Sequence, residues 1–190
     1  MPHSLPSNAP SDKTWDTLHS LRLPDAWQAE AIRALRDGQD VVVQAPTGAG
    51  KTYIFEQYYQ QCRPGAGKQI IFTTPTRALA NDKYAEWLRK GWRVGITTGD
   101  LVCDPGAPLV VATLESQQNP TTATLYVVDE YQWLADPIRG NHYEGVIMSL
   151  PTTTQLLLLS GSVANPDSVR QWLVRLGRNA RLITVKERPV

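Results

Sequence analysis

The stretch Ala45-Pro-Thr-Gly-Ala-Gly-Lys-Thr52 constrains this chain more than any other segment. It follows an apolar run, Val41-Val42-Val43, whose β-branched residues predict a buried parallel strand. After it, Tyr53-Ile54-Phe55-Glu56-Gln57-Tyr58-Tyr59 predicts the start of a helix. Strand, glycine-rich turn and helix make the context of a Walker A phosphate loop. In such a loop the small residues among Pro46, Thr47, Gly48, Ala49 and Gly50 let backbone N–H groups turn inward around phosphate oxygens. The helix N-terminus adds partial positive charge there. Lys51 is then placed to reach the β- and γ-phosphates, and the Thr52 hydroxyl to sit on Mg²⁺. The strict pattern begins with glycine, and Ala45 stands in that place. A chance glycine-rich turn is the competing reading; the flanking elements and the intact Gly-Lys-Thr argue against it.

Composition sets the outer bounds. A chain of 190 residues, 42% hydrophobic and 19% charged, is that of one ordinary globular domain. The net charge of +1 supplies no global basic field, so any nucleic-acid contact must come from local groups. Cys62 and Cys103 have neither metal nor redox spacing, and a reduced cytoplasmic setting is expected. No apolar run approaches the roughly 20 residues of a membrane span, so no membrane partner is expected.

Taken in order, residues 1–14 carry Pro2, Ser4, Pro6 and Ser7 without periodicity and read as a flexible lead-in. A short helix is expected over Trp15 to Leu23, and a second from after Pro24 to about Arg36. Strands are expected at 40–44, 68–73, 92–97, 109–113, 125–128, 155–159 and 182–185. Helices should follow the phosphate loop to about Cys62, run from the Pro75-Thr76-Arg77 turn to Lys90, and occupy 138–149 and 167–176. In the second of these, Leu79, Tyr84, Trp87 and Leu88 are the expected buried positions. Alternating strands and helices imply right-handed crossovers, and hence an α/β domain with a mostly parallel sheet and helices on both faces. Ligands in such sheets bind beyond the carboxyl ends of the strands. The phosphate loop, Asp129-Glu130 and the turns at 73–77, 97–100, 113–116 and 160–162 should all lie on that edge.

Leu125-Tyr-Val-Val-Asp129-Glu130 is an apolar strand ending in two acids, the Walker B pattern. Asp129 is the candidate for the Mg²⁺ shell, and Glu130 for the general base that polarises the attacking water. Alone, the pair could equally be a solvated turn; the phosphate loop upstream makes it half of a nucleotide site.

From about Leu23 to Val190 the chain resembles the first RecA-like domain of helicase superfamily two. Gln28, preceded by Leu23-Pro24, resembles the Q motif, which implies a glutamine reading the adenine edge. Ala45–Thr52 resembles motif I, 73–82 motif Ia, 97–100 motif Ib, 111–116 the motif after it, Asp129–Gln132 motif II and Ser160-Gly161-Ser162 motif III. Asp136, Arg139-Gly140, Glu144 and the run from Leu159 to Pro166 bring it closer to superkiller-type RNA helicases and related archaeal repair helicases. The resemblance implies ATP with Mg²⁺, and a partner strand that is single-stranded or partly duplex RNA or DNA. It also implies strand contacts at Pro75, Thr76, Arg77, Thr98, Gly99 and Thr113. Residues 15–186 would form the RecA-like domain, and 187–190 the start of a linker to a second such domain that holds the arginine fingers. A monomer is the default. A lone first domain would carry half an ATPase site and turn ATP over slowly or not at all.

Two departures bear on mechanism. Motif II ends in Gln132 where the family has His or Asp, and motif III reads Ser-Gly-Ser where the family has Ser-Ala-Thr. Gln132, Ser160 and Ser162 are therefore the candidate coupling residues, and two readings stay open: an ATP-driven helicase or translocase, and a nucleotide-gated clamp that grips a strand without unwinding it. A small-molecule P-loop kinase leaves Gln28, Pro75-Thr76-Arg77 and residues 139–144 unexplained. Elsewhere the plainer readings are taken. Trp27 is expected in the core, Lys83, Arg89, Lys90 and Arg93 on a solvated face, His142 at the surface, and Arg139 in a local pair with Asp136 or Glu144.

Overall fold

A computed structural model describes residues 23–65, 67–116 and 123–186. The lead-in at 1–14, most of the helix expected over 15–23 and the linker at 187–190 lie outside these residues. The strands are Asp40–Gln44 (β1), Gln69–Thr74 (β2), Val94–Thr97 (β3), Val102–Cys103 (β4), Leu109–Thr113 (β5), Ala123–Asp129 (β6), Gln155–Ser160 (β7) and Ala180–Thr184 (β8). They pair in the order β4-β3-β5-β2-β6-β7-β1-β8, and every pairing is parallel except β3 with β4. The helices are Ala26–Arg36 (α1), Lys51–Gln61 (α2), Arg77–Arg89 (α3), Gly140–Ser149 (α4) and Pro166–Arg175 (α5). Two 3₁₀ turns, Leu114–Ser116 and Tyr131–Ala135, follow β5 and β6.

The apolar strands are continuous rather than alternating because both faces of the sheet are covered. Val41, Val43, Ile70, Phe72, Val127 and Leu157 pack with residues of α1, α2 and α3. The intervening Val42, Ile71, Tyr126, Val128 and Leu158 pack with Tyr143 and Ile147 of α4 and Leu173 of α5. On the first face, Phe55, Phe72 and Trp87 form a ring cluster with centroids 4.9–5.2 Å apart. Trp87 Nε1 donates to Glu56 Oε1 at 2.8 Å, so its one polar atom is satisfied. At the amino ends of the strands Arg178 is buried. It donates to Asp40 Oδ2 and to the carbonyls of Thr154, Leu150 and Pro151, tying β1 to the turn before β7.

The expected elements form within a residue or two of their sequence bounds, and three details differ. Leu79 and Leu88 are exposed, not buried. In α3 the inward stripe is Ala80, Tyr84 and Trp87, and both leucines lie roughly a quarter turn to either side of it. The two-residue strand β4 was not expected; it carries no apolar pattern and both its residues are exposed. The strand expected from Trp92 starts at Val94, because Trp92 closes the end of α3 with its N–H on the Trp87 carbonyl. Trp27 packs against the core, as expected. No helix among the described residues is long and apolar enough to cross a membrane.

Candidate nucleotide site and strand cleft

All six segments expected on one edge follow the carboxyl ends of parallel strands β1, β2, β3, β5, β6 and β7. Strand β7 does the central placing. Its register sets Ser160 beside Gln44, the last residue before the phosphate loop, and Leu159 beside Asp129. The phosphate loop, the acid pair and the 160–162 turn are thereby brought together from three distant parts of the chain.

The loop itself bends through Gly48 and Gly50, at φ 81° and 86°, and Gly50 delivers Lys51 into the first turn of α2. Lys51 is 8% exposed; its ammonium donates to the carbonyls of Ala45 at 3.0 Å and Pro46 at 3.3 Å. Thr52 is the next residue of α2, at the same helix end. Gln28, 1% exposed, braces the loop from behind. Its amide nitrogen donates to the carbonyls of Ala49 (3.3 Å) and Gly50 (3.2 Å), and its oxygen accepts the Asp25 N–H (2.9 Å). In this arrangement Gln28 spends its polar atoms on the protein.

Beside the loop, burial raises the pKa of Asp129 to about 6, with a further push from Glu130 and an opposing pull from Lys51 and Lys83. A carboxylate in that state is relieved by a cation. Asp129 and the Thr52 hydroxyl are a hard-oxygen set of the kind that binds Mg²⁺ through few protein ligands, the rest being water and phosphate oxygens. Among the described residues no cluster of three or more His, Cys, Asp or Glu could enclose a metal on its own. Glu130 has left-handed backbone geometry, φ 57°, which turns the chain sharply from β6 into the 3₁₀ turn. Its Oε2 accepts from Gln132 Nε2 at 2.8 Å, while Gln132 Oε1 accepts from Ser160 Oγ. Ser162 joins only through its backbone, its N–H lying 3.3 Å from Ser160 Oγ, and is itself exposed.

A separate cleft of about 660 Å³ opens on the same edge. Pro75, Thr76, Arg77, Gly99 and Thr113 line it. Thr98 does not; its buried hydroxyl is turned into its own loop, donating to Asp100 Oδ1 and accepting the Leu101 N–H. Thr76 caps α3, its Oγ1 accepting the Leu79 N–H at 3.3 Å. Arg77 reaches across to Asp100 Oδ2 at 3.2 Å. The cleft has a second set of walls that the sequence had not assigned: Glu115, Ser116, Ile138, Arg139 and His142. Arg139 was expected in an ion pair with Asp136 or Glu144. Its guanidinium instead lies 5.0 Å over the Trp133 ring, and Asp136 takes its backbone N–H. The basic cluster lies on a solvated face, as expected, and three of its members are also ion-paired: Lys83 with Glu86, Lys90 with Glu56 and Glu86, Arg93 with Asp104.

Comparison with known families now decides the identity, since the DEAD/DEAH box helicase model matches residues 25–169, which hold both sites. The chain belongs to the DEAD/DEAH box helicase family. The probable helicase HelY of Mycobacterium tuberculosis is 35% identical over 176 residues, covering 87% of this chain and 19% of HelY. The exosome RNA helicase MTR4 of Homo sapiens is 31% identical over 160 residues, covering 80% of this chain and 15% of MTR4. The chain thus spans less than a fifth of the length of these helicases. Among solved structures, helicase MrfA bound to DNA superposes with a TM-score of 0.68 at 18% identity, over 96% of this chain and 30% of that one. The shared architecture is the RecA-like α/β domain.

Proposed function

We propose that this chain is the ATP-binding motor domain of an ATP-dependent helicase or translocase acting on single-stranded or partly duplex RNA or DNA. The observation that carries the reading is the register of β7, which joins the phosphate loop to the acid pair on the edge where the 660 Å³ cleft opens. In this reading the N–H groups of the 46–50 loop hold the triphosphate, and Lys51 exchanges its loop carbonyls for phosphate oxygens. Asp129 and Thr52 hold the magnesium shell, and bound Mg²⁺ would neutralise phosphate charge. Glu130 orients and deprotonates the attacking water. Gln28 positions the loop, and adenine recognition by its amide requires it to give up one of its loop carbonyls.

On the cleft side, Arg77, Gly99 and Thr113 grip the strand backbone, with Pro75 and Thr76 setting the turn that presents Arg77. Thr98 acts from behind by shaping the 98–101 turn. Residues 15–186 are the first RecA-like domain of a longer motor, working as a monomer in the cytoplasm. A second RecA-like domain would supply the arginine fingers, so the isolated chain should turn ATP over slowly. One observation favours the clamp alternative: Glu130, the proposed base, already has an oxygen engaged by Gln132.

The deciding experiment is ATPase turnover of the full-length protein with single-stranded RNA and DNA added separately, and Lys51→Ala as the blank. Stimulation by one polymer that is lost in the variant supports the motor and names its substrate. Tight strand binding without stimulated turnover moves the assignment to the clamp. Neither binding nor turnover refutes both.

A further inference from the structure

The turn Asp136-Pro137-Ile138-Arg139-Gly140 carries no role in the nucleotide site, yet it is held in place by several independent devices. Asp136 Oδ1 accepts the N–H groups of Ile138 (2.9 Å) and Arg139 (2.8 Å), and the Asp136 carbonyl accepts the Gly140 N–H (2.8 Å). At Gly140 the chain passes so close to the 131–135 turn that a Cβ would stand 2.4 Å from the Leu134 carbonyl oxygen. The Arg139 guanidinium is stacked over Trp133. The result is that Ile138, a large aliphatic side chain, is 89% exposed on a turn with little freedom to withdraw it. A single exposed apolar side chain needs no explanation by itself. This one is held on a fixed turn and lines a polar cleft together with two arginines, where a ligand with an apolar face would cover it. Arg77 and Gly99 line the same cleft.

We infer that the 136–140 turn is the second wall of the strand cleft, with Ile138 packing against a base and its sugar and Arg139 contacting a backbone phosphate. The inference rests on the strand-binding reading of the cleft and adds to it the face that touches bases. Two arginines from different elements, Arg77 and Arg139, line the cleft, with Glu115 sharing it. Phosphates are favoured at the two arginines and disfavoured beside Glu115, which leaves that part of the cleft to sugar and base. An aliphatic contact to a base face is tolerant of sequence, as a motor that moves along a strand requires. The Asp136 bonds and the Trp133 stack orient the two contact residues and touch no strand themselves.

The test uses the full-length protein and two fluorescein-labelled single-stranded 12-mers of the same backbone, one with bases and one abasic, each as DNA and RNA, of a length suited to about one binding site. Ile138→Ser should weaken binding of the base-bearing strand about fivefold, the effect of withholding part of one aliphatic side chain from burial. It should weaken the abasic strand, which keeps only the sugar, much less. Arg139→Ala should weaken both strands and lower the salt dependence by about one counterion. Because Ile138 is exposed, unchanged thermal denaturation of Ile138→Ser verifies that the variant is folded. Arg77→Ala is the control for the underlying reading. If it weakens both strands while Ile138→Ser binds like the wild type, or weakens both strands equally, the cleft reading stands and the base contact is overturned. If Arg77→Ala binds normally, or the wild type binds neither strand, the cleft reading falls and this inference with it.

Discussion

Gln132 stands between Glu130 and Ser160 and bonds both, its Nε2 donating to Glu130 Oε2 at 2.8 Å and its Oε1 accepting from Ser160 Oγ. A primary amide suits the position because it donates at one end and accepts at the other at every pH. It therefore links the proposed base after β6 to the turn after β7 without a titration of its own. Gln132→Ala removes both bonds and leaves the Glu130 carboxylate free to rotate. Nucleic-acid-stimulated kcat should fall about tenfold with KM for ATP within about twofold, since positioning of a general base contributes at this scale and the loop is untouched. A rise in kcat would instead mean that Gln132 restrains the base, which favours the clamp.

Motif III reads Ser-Gly-Ser for a reason visible in the packing. A Cβ on Gly161 would lie 2.9 Å from Thr47 Oγ1 and 3.5 Å from Lys51 Nζ. Gly161→Ala, the residue the family places there, must therefore push aside the Thr47 hydroxyl in the phosphate loop, while the loop backbone nearest the new Cβ stays at ordinary contact distance. Nucleotide affinity, read by titration with a fluorescent ATP analogue, should fall about three- to tenfold, the scale of a local overpacking. Thr47→Ala in the same chain removes the obstruction, so the two effects should not add.

Asp129 makes stability depend on pH in a direction unusual for an aspartate. Burial, then Glu130, raises its pKa from 3.8 to about 6. Between those values the folded chain binds the proton more tightly than the unfolded chain, so stability is highest below pH ~4 for this group and is lost as pH rises through ~6. The loss is on the order of 3 kcal/mol, the free-energy equivalent of a shift of that size. Thermal melts of the nucleotide-free chain from pH 4 to 8 should show it, and Asp129→Asn should flatten that part of the curve. Magnesium nucleotide, which needs the ionised form, should bind more weakly below pH ~6 in the wild type.

Arg178 is the structural counterweight at the other end of the sheet. Its guanidinium is 2% exposed beside Asp40, at 7%, and it also donates to three backbone carbonyls. Arg178→Ala strands a buried carboxylate and those carbonyls, a loss of about 3–5 kcal/mol that should appear as a large drop in Tm. Arg178→Met with Asp40→Leu should recover the part that comes from the stranded charge, because removing both charges is far milder than removing one, while the carbonyls and the Leu156 N–H that Asp40 accepts stay unpaired.

What was legible in the sequence follows from where the physics is local. The strand runs, the phosphate loop and the acid pair announce themselves because burial on both faces and the tight turn each dictate residue type position by position. Register is not local: nothing in Gln155–Ser160 states that β7 inserts between β6 and β1, yet that insertion assembles the site. Thr98 shows the same limit: that its hydroxyl is claimed by Asp100 within the 97–100 turn is a matter of loop geometry that the motif does not state. Ile138 has no role in the sequence reading because nothing local marks the first residue of the expected 138–149 helix as exposed. Its exposure goes with a turn fixed by the Asp136 carboxylate and carbonyl and by a close approach to Leu134 that only a glycine at 140 allows.

Asp100 holds two groups as a phosphate would, Thr98 on its own loop and Arg77 at the start of α3. Its Oδ2 lies 3.2 Å from Arg77 Nη1, and its Oδ1 accepts from Thr98 Oγ1 at 3.1 Å. The ion pair is well exposed on both sides, 62% and 64%, so it contributes at most about 1 kcal/mol to folding. Its effect on strand binding is larger in consequence, since a nucleic-acid phosphate must displace the carboxylate to reach Arg77 and meets its charge on approach. Asp100→Asn keeps the acceptor for Thr98 and removes the charge. Affinity for a single-stranded oligonucleotide at low salt should rise about two- to fivefold, and the gain should shrink as salt screens the lost repulsion. Tm should stay within the range expected for an exposed pair. An Asp100→Asn variant that binds the strand more weakly than the wild type would mean that the carboxylate orients Arg77 toward the phosphate rather than competing with it.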